Sequence, residues 1–143
     1  MTEHRLQFVR LPSRSQPLLT GITFLGDLFL LLVFTGIGIF THGGLPWAIP
    51  MHTLETLAPF LIAWLLIAPF IGLYSRETLR DYRSTAIRLT VGWIAVSFVG
   101  GAIRATDYFL GGAPLDFIAV NIIFGLLFLL PWRFAIAWFL GRN

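Results

Sequence analysis

The chain has 143 residues, 57% of them hydrophobic and 12% charged, with a mean hydropathy of +0.81. Soluble domains carry about 25% charged residues, so this composition excludes an ordinary water-soluble globule. All ten basic residues are arginine and the net charge is +3. The absence of cysteine excludes disulfides, thiolate metal sites, thiol nucleophiles and lipid attached at cysteine.

Residues 1–17 form a polar segment carrying Arg5, Arg10 and Arg14, with Pro17 at the mouth of the first apolar run. That run predicts a helix over 18–41, longer than the ~30 Å core of a bilayer at ~1.5 Å per residue. It outruns the apolar stretch of a secretory signal and ends at no small-x-small site, so it reads as a retained span. Its single charge is Asp27, a carboxylate that costs ~3 kcal/mol or more in hydrocarbon. On a helical wheel Thr20, Thr23, Asp27, Phe34, Gly38 and Thr41 fall within about 40° of one direction. Such a polar stripe faces protein or water, not lipid.

The loop that follows carries His42, "GGLP" and His52. The two histidines lie ten residues apart across prolines, a poor metal geometry without further ligands. A second span is predicted over 54–74. The middle loop "SRETLRDYRSTAIR" spaces Arg76, Arg80 and Arg83 at helical intervals. It reads as a solvated basic loop, with a short amphipathic helix on the membrane surface as the alternative. The third apolar run, Leu89–Ala105, is short for a span and borrows Thr106–Phe109 to cross, giving a helix over 89–109. On its polar side Thr90, Trp93, Ser97, Gly100 and Arg104 cluster, with Gly100 permitting close backbone approach and Ser97 a hydrogen bond across the interface. "GGAP" precedes a fourth span over 115–140, in which Asn121 is an interhelical hydrogen-bonding residue. Residues 141–143 close the chain. The GGLP and GGAP turns hint at a duplicated hairpin, although Gly-Gly-x-Pro is also ordinary turn chemistry.

The fold class that follows is an all-α, polytopic membrane protein, a four-helix bundle of one domain over 18–140. Arg5, Arg10, Arg14, Arg76, Arg80, Arg83, Arg88 and Arg142 flank one side of the predicted spans, and the two opposite loops hold no Lys or Arg. Basic residues in short loops stay cytoplasmic, which places both termini and the middle loop inside a cell (inner or plasma) membrane. Trp47, Trp132 and Trp138 fit interfacial belts. The basic balance thus reflects topology, and the expected partners are the lipid bilayer and a second copy or another membrane protein, not nucleic acid.

Depth pairs the charges inside the helices. Asp27 lies ~13 Å in from Leu18 and Arg133 ~10 Å in from Leu140 on the same side, so an inner Asp27–Arg133 pair is expected. At the other side Arg104 is expected to cluster with Glu55 or Asp116, near His42. Thr23, Ser97, Gly100 and Asn121 are expected at helix–helix contacts.

The stretches "GDLFLLLVFTGIGIFTHG", "TLAPFLIAWLLIAPFIGLY", "WIAVSFVGGAIR" and "LDFIAVNIIFGLLFLLPWR" resemble a family of short prokaryotic membrane proteins, domain of unknown function 3054. The resemblance runs from about Gly21 to Leu140. It implies a four-helix integral membrane domain and no particular activity. Asp27, His42, Arg104 and Arg133 are the polar positions it shares. Small multidrug-resistance exporters are similar in architecture only: Arg104, Arg133 and the lack of a matching motif around Asp27 set this chain apart.

No hydrolase, metalloprotease, P-loop or dinucleotide motif occurs, so no enzyme activity, cofactor or metal is expected. The sequence points to a non-catalytic membrane subunit or scaffold whose ion pairs specify helix packing. The alternative is a small oligomeric transporter or channel-like protein using the Asp27 stripe as a proton, ion or solute site.

Overall fold

The computed structural model describes residues 15–109 and 111–142; Arg5, Arg10, Arg14 and most of the polar 1–17 segment lie outside them. The described residues are helical and loop only: α1 (Ser15–Thr41), α2 (Pro50–Phe70), α3 (Arg76–Arg80), α4 (Tyr82–Arg104) and α5 (Leu115–Gly141). α1, α2, α4 and α5 are each long and apolar enough to cross a membrane. Their surface is that of a lipid-facing bundle. Phe70 is 94% exposed, and Phe29, Leu65 and Leu127 also point outward, whereas soluble proteins rarely leave such large apolar patches uncovered.

Two spans differ in register from the sequence expectation. α2 runs Pro50–Phe70, not 54–74, because a Schellman motif stops it early. Gly72 has φ +65°, its N–H bonds Pro69 O at 3.2 Å, and the Leu73 N–H bonds Ala68 O at 3.0 Å. α4 runs Tyr82–Arg104, not 89–109. It gains length at its polar start, where the Asp81 carboxylate accepts from Ser84 N–H at 2.7 Å as an N-cap. Thr106–Phe109 lie past its end in a turn. Hydropathy missed this because the first turns hold Arg83, Ser84 and Arg88, polar residues that a helix carries readily at an interface.

The four long helices pack in the cyclic order α1, α2, α4, α5. α2–α4 and α4–α5 are the closest pairs, and α1 rests more lightly on α2 and α5. α3 tucks beneath α4 and α5 with Thr78 and Leu79 buried. The basic middle segment therefore holds a short helix folded against the bundle, with Arg76 and Glu77 exposed, and is not an open loop. In α5 the buried side is Ile118, Asn121, Gly125, Leu129, Arg133, Ala137 and Leu140. The small and polar residues Asn121, Gly125, Arg133 and Ala137 point inward there beside Ile118, Leu129 and Leu140, as expected where lipid is the solvent.

Two glycines set the spacing. A Cβ on Gly100 would lie 2.5 Å from Phe60 Cδ1, so α4 approaches α2 at that point. A Cβ on Gly125 would overlap the Trp93 indole, so α5 leaves room for that ring in the core. The core itself is built on Leu31, Leu57, Trp64, Leu73, Leu89, Trp93 and Leu129.

Candidate functional site: a buried ion pair and a cavity above it

α1 is buried at Thr23, Asp27, Leu31, Thr35 and Ile39, a strict four-residue repeat. That row winds around a helix, so the buried face starts at Thr23 and Asp27 and leaves the straight stripe before Gly38 and Thr41. At Asp27 the face meets Arg133 of α5. Arg133 Nε donates to Asp27 Oδ1 at 3.0 Å, and Nη2 donates to Oδ2 at 2.7 Å. This is the two-pronged geometry that makes Arg–carboxylate pairs strong. Asp27 is 0% and Arg133 2% exposed.

Three further groups complete the cluster, and the sequence reading missed all of them. The turn at Gly72 swings Leu73 and Tyr74 back into the bundle. There the Leu73 carbonyl accepts from Arg133 Nη1 at 3.0 Å, and the Tyr74 hydroxyl donates to Asp27 Oδ2 at 2.5 Å. Trp64 Nε1 in turn donates to the Tyr74 oxygen at 3.0 Å, and the Arg133 guanidinium lies 4.7 Å from the centre of the Tyr74 ring. The signal that marks Tyr74 is "GLY" itself: a glycine in the αL region ends the helix, and the tyrosine two residues on turns inward.

Trp132 lays its ring over Gly26. Among the described residues its Nε1 is the one buried side-chain polar atom without a partner.

Above the pair the bundle axis is closed by indoles. Trp64 and Trp93 meet edge to face with centroids 5.9 Å apart. Trp93 Nε1 donates to the Asn121 backbone oxygen at 3.0 Å, and Asn121 Nδ2 donates to Ser97 Oγ at 2.9 Å. Ser97, Gly100 and Asn121 thus all lie at helix contacts, and the Thr23 hydroxyl donates to Leu19 O at 2.8 Å within its own helix.

The end of the bundle opposite α3 is different. Arg104 reaches neither Glu55 nor Asp116: the ion pairs among the described residues are Arg133–Asp27 and Arg88–Glu77. Arg104 Nε donates to Gly112 O at 3.3 Å, and its guanidinium sits 5.2 Å from the centre of the Phe117 ring. Asp116 is exposed and accepts from the Phe117 N–H at 2.9 Å. The expected outer ionic cluster does not form: the guanidinium is taken up by the carbonyl of the next loop and packs on the ring of the next helix. In its place is a cavity of about 600 Å³ lined by α1, α2, α5, the end of α4 and the loop after α1; Gly38, Thr41, His42, His52, Arg104 and Asn121 all face it.

Four membrane-crossing helices around a sealed Arg–carboxylate pair define a small polytopic membrane protein. The chain belongs to the family described as protein of unknown function (DUF3054), whose model matches residues 24–136. No curated protein and no solved structure matches it.

Proposed function

We propose that the protein is a non-catalytic membrane subunit or scaffold, oriented with both termini and α3 in the cytoplasm, in which the Asp27–Arg133 pair holds the helices in register. One observation carries this reading: each carboxylate oxygen and each guanidinium nitrogen of the pair has a protein partner, with essentially no exposed surface. An ion or solute site needs a free ligand position and a route to it. Here Tyr74 and the Leu73 carbonyl occupy those positions and the Trp64–Trp93 pair stands between Asp27 and the cavity.

A staple makes a definite mutational pattern. Asp27→Asn or Arg133→Gln alone leaves a buried charge unpaired and should cost ~3–5 kcal/mol, read as lost thermal stability of the purified protein in detergent. The double variant should recover much of that loss. If Asp27→Asn instead leaves stability intact and abolishes proton- or ion-coupled flux in liposomes, the transporter reading replaces this one.

A further inference from the structure

The cavity at the α1–α2 loop end has a cation and no matching anion. Its wall surface is mostly apolar, with Phe34, Ile39, Phe60, Phe117 and Val120 among the lining residues beside His42, His52, Thr35 and Thr56. From Thr41 down to Phe34 it reaches ~10 Å along α1, and Asn121 lines its α5 side. Its volume falls in the roughly 300–1,000 Å³ range of small-molecule sites. Arg104 is held at it by the Gly112 carbonyl on Nε and by the Phe117 ring. Gly111, at φ +125°, brings bare backbone so close that a Cβ there would lie 2.6 Å from Nη2. That packing fixes the guanidinium plane at the cavity, while its two Nη groups have no hydrogen-bond acceptor among the described residues.

A fixed, unneutralised guanidinium over an apolar cleft recognises one chemistry: a carboxylate or phosphate joined to an apolar chain. The planar fork offers two parallel bonds to either anion, and the low-dielectric walls strengthen that contact relative to water. We propose that this cavity binds an anionic amphiphile, with its head group on Arg104 and its tail along Phe34, Phe60 and Phe117. Such a molecule is either a free fatty acid or an anionic phospholipid of the surrounding bilayer; both present the same head-and-tail chemistry. The proposal is independent of the role assigned to the Asp27–Arg133 pair.

The test uses the purified full chain in a neutral detergent with the fluorescent fatty acid cis-parinaric acid, and its methyl ester as the uncharged control. The acid should bind saturably and at least tenfold more tightly than the ester. Arg104→Gln should weaken acid binding at least tenfold while leaving ester binding unchanged. Val120→Trp, at a position 51% exposed that tolerates bulk, should fill the cavity and weaken both probes. Displacement by oleate alone assigns the site to free fatty acids, and displacement by phosphatidylglycerol but not phosphatidylcholine assigns it to anionic lipid. Equal binding of acid and ester, wild-type affinity in Arg104→Gln, or no displacement by either competitor overturns the proposal.

Discussion

Tyr74 shows how much one hydroxyl does in a sealed site. Its O–H donates to Asp27 at 2.5 Å and its oxygen accepts from Trp64 at 3.0 Å, so it ties α1 to α2 through a residue that is itself in the connecting turn. A hydrogen bond to a charged group contributes ~1.5–3 kcal/mol. Tyr74→Phe should therefore lower stability by about that amount, and it also leaves the Trp64 N–H without an acceptor. Arg133→Lys tests the same cluster from the other side. Lysine keeps the charge but lacks the planar fork, so it cannot hold both Asp27 oxygens and the Leu73 carbonyl in the same geometry. It should melt below the wild type, and urea or thermal titration of the two variants in detergent checks both expectations.

The elements were legible in the sequence to different depths, and the reasons are local. Length and hydropathy were enough for the four long helices, and depth along them brought Asp27 level with Arg133. What they missed was chain direction at the ends. The Gly72 turn sends Tyr74 inward, and a plain apolar count extends the helix straight through it. At the other end, Arg104 pairs with neither Glu55 nor Asp116 and bonds a loop carbonyl instead, and loop conformation is not written in spacing. Gly72→Ala tests the first point. Alanine resists φ +65°, while the Arg88 tip that its Cβ would meet can move aside, so the loss should be ~1 kcal/mol or somewhat more. Gly100→Leu should cost ~1–3 kcal/mol by overpacking against Phe60. The α4 cap makes a pH prediction. The Ser84 N–H, assisted by the Ser84 side chain, holds the Asp81 carboxyl below its ordinary 3.8. Its contribution is complete above that value and disappears as pH falls through the lower folded-state pKa. The protection of the Ser84 amide against exchange, taken relative to its intrinsic rate, should fall as pH drops from about 5 to about 3. In Asp81→Asn, a neutral residue that still caps, that acid-side loss should vanish.

At the scale of the whole molecule the polar residues are sorted by end. Arg76, Arg80, Arg83 and Arg88 gather around α3 and the start of α4, while the opposite end holds Arg104 together with His42, His52, Glu55, Asp107 and Asp116. The ends are also built differently. At the α3 end Arg80 reaches the Leu140 carbonyl at 3.3 Å and Arg88 reaches Glu77 at 3.5 Å, so the helices are tied together; at the other end α1 stands away and the cavity opens. On the orientation proposed above, with basic residues retained on the cytoplasmic side, the closed end lies inside and the open end with its cavity outside. The chain has no cysteine, so single cysteines can report this directly. In intact cells a membrane-impermeant maleimide should label Gly112→Cys and Leu45→Cys but not Arg83→Cys, an exposed position beside α3. Permeabilising the membrane should make Arg83→Cys react while leaving the other two unchanged. Labelling of Arg83→Cys in sealed cells would invert the bundle, and the amphiphile cavity would then draw on the cytoplasmic leaflet.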